Sequence, residues 1–183
     1  KGLKPVLWCT QDQTALAEAE VEYENHTSPS VYVKFPLVSP PTVLSKRFGP
    51  IAFPSEVKNV SVLIWTTTPW TLPANQSFCL HADIDYAFVQ VGDELLVIAE
   101  KLVESVAKAC DLPAYTIVAV KKGGEGFEGL ETQRPLTTGL SPLLLGDFVT
   151  LEQGTGCVHI APGHGMEDYL LVLDHNAKAS VGE

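Results

Sequence analysis

Tyr86-Ala-Phe-Val-Gln-Val-Gly92-Asp93-Glu94-Leu-Leu-Val-Ile-Ala99 decides the fold class. Two apolar runs of strand length flank Gly92-Asp93, a dipeptide suited to a two-residue hairpin turn, so the stretch predicts an antiparallel pair. Upstream, Val60-Ser-Val-Leu-Ile-Trp65 reads as a buried strand running into Thr66, Thr67 and Thr68. The alternation in Ser30-Val-Tyr-Val-Lys-Phe-Pro36-Leu37 predicts another strand, stopped by Pro36. Residues 38–58, rich in Pro, Ser and Lys, read as a loop. Residues 14–23 fit a helix by their Ala and Glu content and a strand by their alternation. Downstream, residues 100–110 place Leu102, Val103, Val106 and Ala107 on one helical face ahead of Pro113. Residues 115–120, 148–151 and 157–160 read as strands, and the chain turns helical after Gly165 with Glu167 and Asp168 in the first turn. Many short strands and few helices predict a β-rich α+β class, a barrel-like mixed sheet with a few short helices.

The 183 residues make about one domain. Twelve Lys and Arg against 22 Asp and Glu leave a net charge of −10. That excludes a generic polyanion-binding module, whose affinity comes from basic side chains displacing counterions. Any nucleic-acid contact is therefore expected to be local. No apolar run approaches the ~20 residues of a membrane span, so no membrane partner is expected. Lys1-Gly2-Leu3-Lys4-Pro5 does not read as a signal peptide. Cys9, Cys79, Cys110 and Cys157 form no C-x-x-C pair, which predicts neither a metal site nor a disulfide framework, but reduced intracellular thiols. The absence of an initial Met and the charged final residue, Glu183, point to an excised piece of something longer.

Two segments stand apart in composition. In Trp65-Thr-Thr-Thr-Pro69-Trp70-Thr71-Leu-Pro73-Ala-Asn75, hydroxyls cluster at the end of an apolar strand and two prolines stiffen the exit. Such a turn presents hydroxyls and backbone amides to a ligand, although Thr also simply suits strands. In Gly154-Thr-Gly156-Cys157-Val-His159-Ile-Ala-Pro-Gly-His164-Gly-Met-Glu-Asp168, Cys157 and His159 share a strand face at roughly 7 Å, too far for a direct hydrogen bond. Cys157 is better read as a small buried apolar residue than as a nucleophile. His159 and Asp168 are the better pair, because the glycine-rich loop between them folds back. His159, His164 and Asp168 match no zinc pattern, and the glycines match no phosphate loop or dinucleotide fingerprint. The basic doublets Lys46-Arg47 and Lys121-Lys122 read as solvated surface.

Together these segments resemble the two signatures of the editing (connective peptide 1) domain of isoleucyl-tRNA synthetase, in the class I aminoacyl-tRNA synthetase family. Lys4-Pro-Val-Leu-Trp-Cys9, Thr14-Ala-Leu-Ala-Glu-Ala-Glu-Val-Glu-Tyr23 and Ser28-Pro-Ser30 are also similar to that insertion. The resemblance runs from about residue 3 to about 173, and the single editing domain is expected to occupy residues 1–183 with a poorly matching tail at 174–183. Leucyl and valyl relatives typically carry Arg in place of Thr68. Many bacterial members have C-x-x-C near the start, whereas Cys9 is followed here by Thr10-Gln11-Asp12.

The resemblance implies post-transfer editing: water hydrolyses the ester joining valine to the 3′-terminal adenosine of mischarged isoleucine tRNA, with no covalent enzyme intermediate. One methylene is worth only about 1–3 kcal/mol in a binding pocket, a magnitude established on this enzyme class itself, so a second, size-excluding pocket is needed. On matching positions, Asp168 would bind the α-ammonium, and His159 would set the size limit. Thr66, Thr67 and Thr68 would hold ester, ribose and water, with Thr67, Thr68 and Asp168 as the catalytic set. Thr71 would form a wall, Asn75 matches a position implicated in editing, and Trp65 and Trp70 would support the site or stack near the adenine. No cofactor is implied; ATP and magnesium would belong to the synthetic domain. The implied partners are the tRNA terminus, valine and the rest of the parent synthetase in cis, in the cytoplasm or an organelle. The alternatives are a valyl- or leucyl-type editing domain, a non-hydrolytic tRNA acceptor-end binding module, and an unrelated esterase, against which the lack of G-x-S-x-G speaks.

Overall fold

The computed structural model describes residues 4–49, 51–134 and 136–181. The expectations placed on residues 1–3 and on 182–183 lie outside them. In chain order the strands are β1 (Leu7–Cys9), β2 (Thr14–Leu16), β3 (Val31–Pro36), β4 (Asn59–Thr66), β5 (Ser77–Leu80), β6 (Asp85–Val91), β7 (Glu94–Ala99), β8 (Thr116–Lys122), β9 (Glu131–Gln133), β10 (Leu140–Leu145) and β11 (Val158–Ile160). The α-helices are α1 (Pro41–Arg47), α2 (Val103–Ala109) and α3 (Met166–Val181).

The Gly92-Asp93 turn forms the predicted hairpin: β6 and β7 pair antiparallel from Tyr86 opposite Ala99 to Val91 opposite Glu94. This hairpin is built into a five-stranded sheet of order β3-β4-β7-β6-β8. β4 lies between β3 and β7, parallel to the latter, and is buried on both faces: Val60, Val62 and Ile64 on one and Ser61 and Leu63 on the other. A second sheet has the order β11-β5-β10-β9, again with one parallel pair, β5 with β10. β1 and β2 form a separate ribbon.

The class is therefore the β-rich α+β one that the sequence predicts, but the sheets do not close into a barrel. The edge strands β3 and β9 meet only at a bridge between Leu37 and Thr132, beside Val38 N–H donating to the Glu131 carbonyl at 2.9 Å. Pro36 lacks a donor, and Pro40-Pro41 turns the chain into α1, so this pairing does not propagate. α1 is itself a correction to the loop predicted over residues 38–58; Pro41 sits at its first turn, where a missing N–H costs nothing. Residues 148–151 are not a strand either. Their apolar side chains, Phe148 and Val149, pack with Cys79, Val158 and Ile160 without a ladder partner. Of the ambiguous residues 14–23, Thr14–Leu16 pair with β1 and Glu18–Glu20 form a single 3₁₀ turn. Residues 174–181 of the tail continue α3.

The core lies between the two sheets. Phe35 meets Phe78 edge to face at 4.3 Å, and Phe88 stacks on Phe127 at 5.6 Å. The glycine-rich segment before β11 is fastened to the five-stranded sheet at two points. Ala99 N–H donates to the Thr155 carbonyl at 2.8 Å, and the buried Tyr86 hydroxyl donates to the Gly156 carbonyl at 2.7 Å. Gly156 has φ +73°, and a Cβ there would stand 2.4 Å from that of Ala99. Gly156→Ala is thus expected to destabilise the chain by about 2 kcal/mol or more, through strain and overpacking. That is read as a fall in Tm of roughly 4 °C or more on thermal unfolding.

Candidate functional site

The threonine run and the glycine-rich segment meet where β4 and β11 end. β4 stops at Thr66, and Pro69 opens a 3₁₀ turn over Pro69–Ala74. Thr66 Oγ1 accepts from Thr68 N–H at 3.1 Å and lies 3.3 Å from Thr68 Oγ1, so two hydroxyls are gathered at one corner. β11 pairs antiparallel with β5, placing His159 opposite Phe78 and beneath the turn. The chain then loops through Pro162 and Gly163 into α3, which carries Asp168 in its first turn. The result is a cleft of about 270 Å³ lined by Trp65, Thr66, Thr68, Trp70, Thr71, His159, His164 and Asp168.

His159 is 9% exposed and held at both ring nitrogens. Nδ1 lies 2.8 Å from Asn75 Nδ2, and Nε2 lies 2.9 Å from Thr71 Oγ1. An amide nitrogen only donates, so Nδ1 accepts and carries no proton; the proton sits on Nε2 and points to Thr71. Thr71 Oγ1 in turn donates to the Thr68 carbonyl at 2.9 Å. Burial, with the nearby His164 adding to it, lowers the His159 pKa to about 4. The ring is therefore a neutral wall at physiological pH.

Asp168 is fixed differently. Its Oδ2 accepts from Ala161 N–H at 2.7 Å, and no Lys or Arg pairs with it among the described residues. Burial outweighs that hydrogen bond and raises its pKa above the ordinary carboxyl value. A half-buried carboxyl without a countercharge is a seat for a small cation.

The candidate residues do not all reach the cleft. Trp65, Thr66, Thr68, Thr71, His159 and Asp168 line it, and Trp70 stands 62% exposed at its rim. Thr67 is not among the lining residues; its carbonyl accepts from Ser28 Oγ at 2.7 Å. Asn75 is 1% exposed and sits behind His159 rather than in the cleft. Cys157 is buried, and burial raises its pKa, which disfavours the thiolate a nucleophile needs. A second cleft, of about 300 Å³, shares Trp65, Val158 and Asp168 with the first and is walled by Gln153, Gly154, Thr155 and Gly156. Sequence reasoning missed the residues behind Asn75, because they reach the site only through the pairing of β9, β10 and β5. Among the described residues no group of three or more His, Cys, Asp or Glu side chains is arranged to hold a metal ion, and no helix is long and apolar enough to cross a membrane.

The His159 geometry makes stability depend on pH. The folded state binds its proton at about pH 4 and the unfolded chain near pH 6.5, so the unfolded state takes up more protons in between. The contribution, at most about 3 kcal/mol, is present above pH ~6.5 and is lost as the pH falls towards 4. Urea unfolding between pH 5 and 7 is expected to be steeper in pH for the native chain than for His159→Gln. Equal slopes would contradict a buried neutral ring.

No protein-family model matches the chain. It is 47% identical over 176 residues to the isoleucine–tRNA ligase of Petrotoga mobilis, a match covering 96% of the chain and 17% of the ligase. It is 50% identical over 169 residues to that of Moorella thermoacetica, covering 92% and 17%. The chain thus spans about a sixth of the length of these ligases. Among solved structures, the editing domain of P. falciparum cytosolic leucyl-tRNA synthetase matches with a TM-score of 0.67 at 16% identity, over 84% of this chain and 68% of that one. The corresponding P. knowlesi domain matches with a TM-score of 0.66 at 14% identity, over 83% and 64%. By sequence the chain is homologous to a segment of the isoleucine–tRNA ligases, and its fold is similar to that of the leucyl-tRNA synthetase editing domains.

Proposed function

We propose that the chain hydrolyses the ester between valine and the 3′-terminal adenosine of mischarged isoleucine tRNA, by attack of water. One observation carries the reading. The cleft, of about 270 Å³, sets an unpaired carboxyl, Asp168, and a rigid neutral imidazole, His159, side by side, with the Thr66 and Thr68 hydroxyls at its mouth. Its volume lies just below the ~300–1,000 Å³ of ordinary small-molecule sites.

In this reading the α-ammonium of the bound amino acid pairs with Asp168 and supplies the countercharge that no Lys or Arg among the described residues provides. The valine side chain lies against His159 and Thr71. The extra methylene of isoleucine would strike a ring fixed at both nitrogens, which cannot yield without breaking a buried hydrogen bond. The terminal nucleoside occupies the neighbouring cleft beside Gly154, Thr155 and Gly156. Thr66 and Thr68 hold the attacking water and the ester. Water adds to the ester carbonyl carbon, and the ribose oxygen leaves and takes up a proton. Because an aminoacyl ester is already activated, positioning supplies most of what is needed. Thr67 would act through its backbone and Asn75 through His159, rather than by direct side-chain contact. The parent ligase, acting in cis in the cytoplasm or an organelle, would supply the grip on the tRNA body.

Deacylation of valyl and isoleucyl esters of the terminal adenosine, or of charged tRNA, tests the reading through variants. Asp168→Ala is expected to lose about 100-fold or more, as befits the loss of a partly buried ion pair; near-native activity would remove the ammonium assignment. His159→Ala is expected to admit isoleucine, and unchanged selectivity would end its role as the size limit. Cys157→Ala is expected to keep most activity. With His159 already neutral, its ring is expected to contribute no inflection near pH 6.5; the rate is expected to fall in acid as Asp168 takes up a proton, and in alkali as the substrate's α-ammonium loses the proton by which Asp168 holds it.

A further inference from the structure

We propose that Arg134 and Ser141 are positioning residues for the amino-acid cleft, acting through Asn75 to fix which nitrogen of His159 carries the proton and so to hold the ring as a size limit. The selectivity half of this inference rests on the deacylation reading above; the ring-protonation half stands on geometry alone.

The hydrogen bonds run in one direction. Arg134 Nε donates to Ser141 Oγ at 2.8 Å, and Ser141 Oγ donates its single proton to Asn75 Oδ1 at 2.5 Å. With Oδ1 engaged, both protons of the Asn75 amide face the other way, one to the Ser77 carbonyl at 2.9 Å and one to His159 Nδ1 at 2.8 Å. The sequence of donors then continues through His159 Nε2 to Thr71 and from Thr71 to the Thr68 carbonyl. An arginine can only donate, which leaves the Ser141 proton free for Asn75 Oδ1, and the Ser77 carbonyl, which can only accept, holds the Asn75 amide nitrogen on the side of His159. Ser141 and Asn75 are 0% and 1% exposed, so water is not at hand to replace a lost partner.

The local fold is arranged around the guanidinium. Arg134 lies at the end of β9, and its backbone N–H donates to the Gly139 carbonyl at 3.0 Å across the β9–β10 connection. A Cβ on Gly139 would come within 3.1 Å of Arg134 Cδ and 3.3 Å of its Nε. Gly139 has no positive φ, so its backbone does not call for glycine; the space it leaves is taken by Arg134. β10 presents Ser141 from the strand next to β5, which carries Ser77. Arg134, Ser141 and Asn75 do not line the cleft, whose other titratable groups, His164 and Asp168, face His159 from the loop and from α3.

To place a proton on Nδ1, the Asn75 amide must turn over, which sets its oxygen against the Ser77 carbonyl and strands the buried Ser141 proton without an acceptor. Removing the Ser141 hydroxyl removes one of those two costs. The proton affinity of Nδ1 is then expected to rise by roughly five- to tenfold, the worth of one buried hydrogen bond.

The test is ring-nitrogen NMR on the ¹⁵N-labelled chain, titrated downward from about pH 7. In the native chain His159 is expected to hold its proton on Nε2 alone and to titrate well below the ordinary imidazole value. In Ser141→Ala its midpoint is expected to move up by about one pH unit, in Arg134→Gln by less, and in Ser141→Thr to stay near native. Should Ser141→Ala not fold, Arg134→Gln and Gly139→Ala, which crowds the guanidinium, carry the same reading. An unmoved midpoint in a folded Ser141→Ala, or Ser141→Thr behaving like Ser141→Ala, overturns the proposal. The preference for valyl over isoleucyl ester is expected to fall roughly five- to tenfold in Ser141→Ala. A moved midpoint with unchanged preference overturns the selectivity half. If the native chain hydrolyses neither ester, the deacylation reading fails while the ring midpoint still decides the relay.

Discussion

His159 is gripped at both ring nitrogens, and the rest of the site is organised by that grip. A histidine on an apolar strand end would ordinarily rotate, or take up a proton as its surroundings allowed. Here Asn75 forbids a proton on Nδ1 and Thr71 requires one on Nε2, so the ring has one orientation and one charge. A wall that neither turns nor ionises near neutral pH can discriminate by shape, which weak binding of one methylene cannot do. Asp168 supplies the complementary element, a carboxyl that burial leaves in want of a cation.

That grip draws on both sheets. Thr71 belongs to the 3₁₀ turn that leaves β4, and β4 is paired in parallel with β7 in the larger sheet. His159, Ser77 and Ser141 lie on β11, β5 and β10 of the smaller sheet. The sheets are held in register by the Ala99–Thr155 and Tyr86–Gly156 hydrogen bonds and by the Phe35–Phe78 contact. An open pair of sheets, rather than a closed barrel, leaves the strand ends free to face each other across the cleft. A small displacement of either sheet would be felt first at the imidazole.

Much of this was legible in the sequence, for identifiable reasons. The β6–β7 hairpin announces itself because Gly92-Asp93 interrupts two apolar runs, and Pro69 marks where β4 must end. The threonine run and the His159–Asp168 segment stand out by composition, and both line the cleft. Elements whose signal was ambiguous or internal were lost. β10 carries Pro142 among apolar residues, and β5 is four buried residues with no alternation to read. α1 begins at a double proline that reads as a loop, and Phe148 and Val149 look like a strand because burial and pairing select the same side chains. Arg134 and Ser141 were invisible, since only the long-range pairing of β9, β10 and β5 brings them behind Asn75.

The net charge of −10 takes its place in this account as well. A domain so acidic is poorly suited to holding a tRNA body, and the chain spans only about a sixth of the ligases it matches. The proposed reaction asks it to hold only one nucleotide and one amino acid. The most direct measurement is the ratio of deacylation rates for valine- and isoleucine-charged isoleucine tRNA, with the chain in excess and each substrate followed separately. The account predicts hydrolysis of the valyl ester and sparing of the isoleucyl ester by well over the few-fold that a methylene alone provides. Equal rates on the two substrates would contradict it.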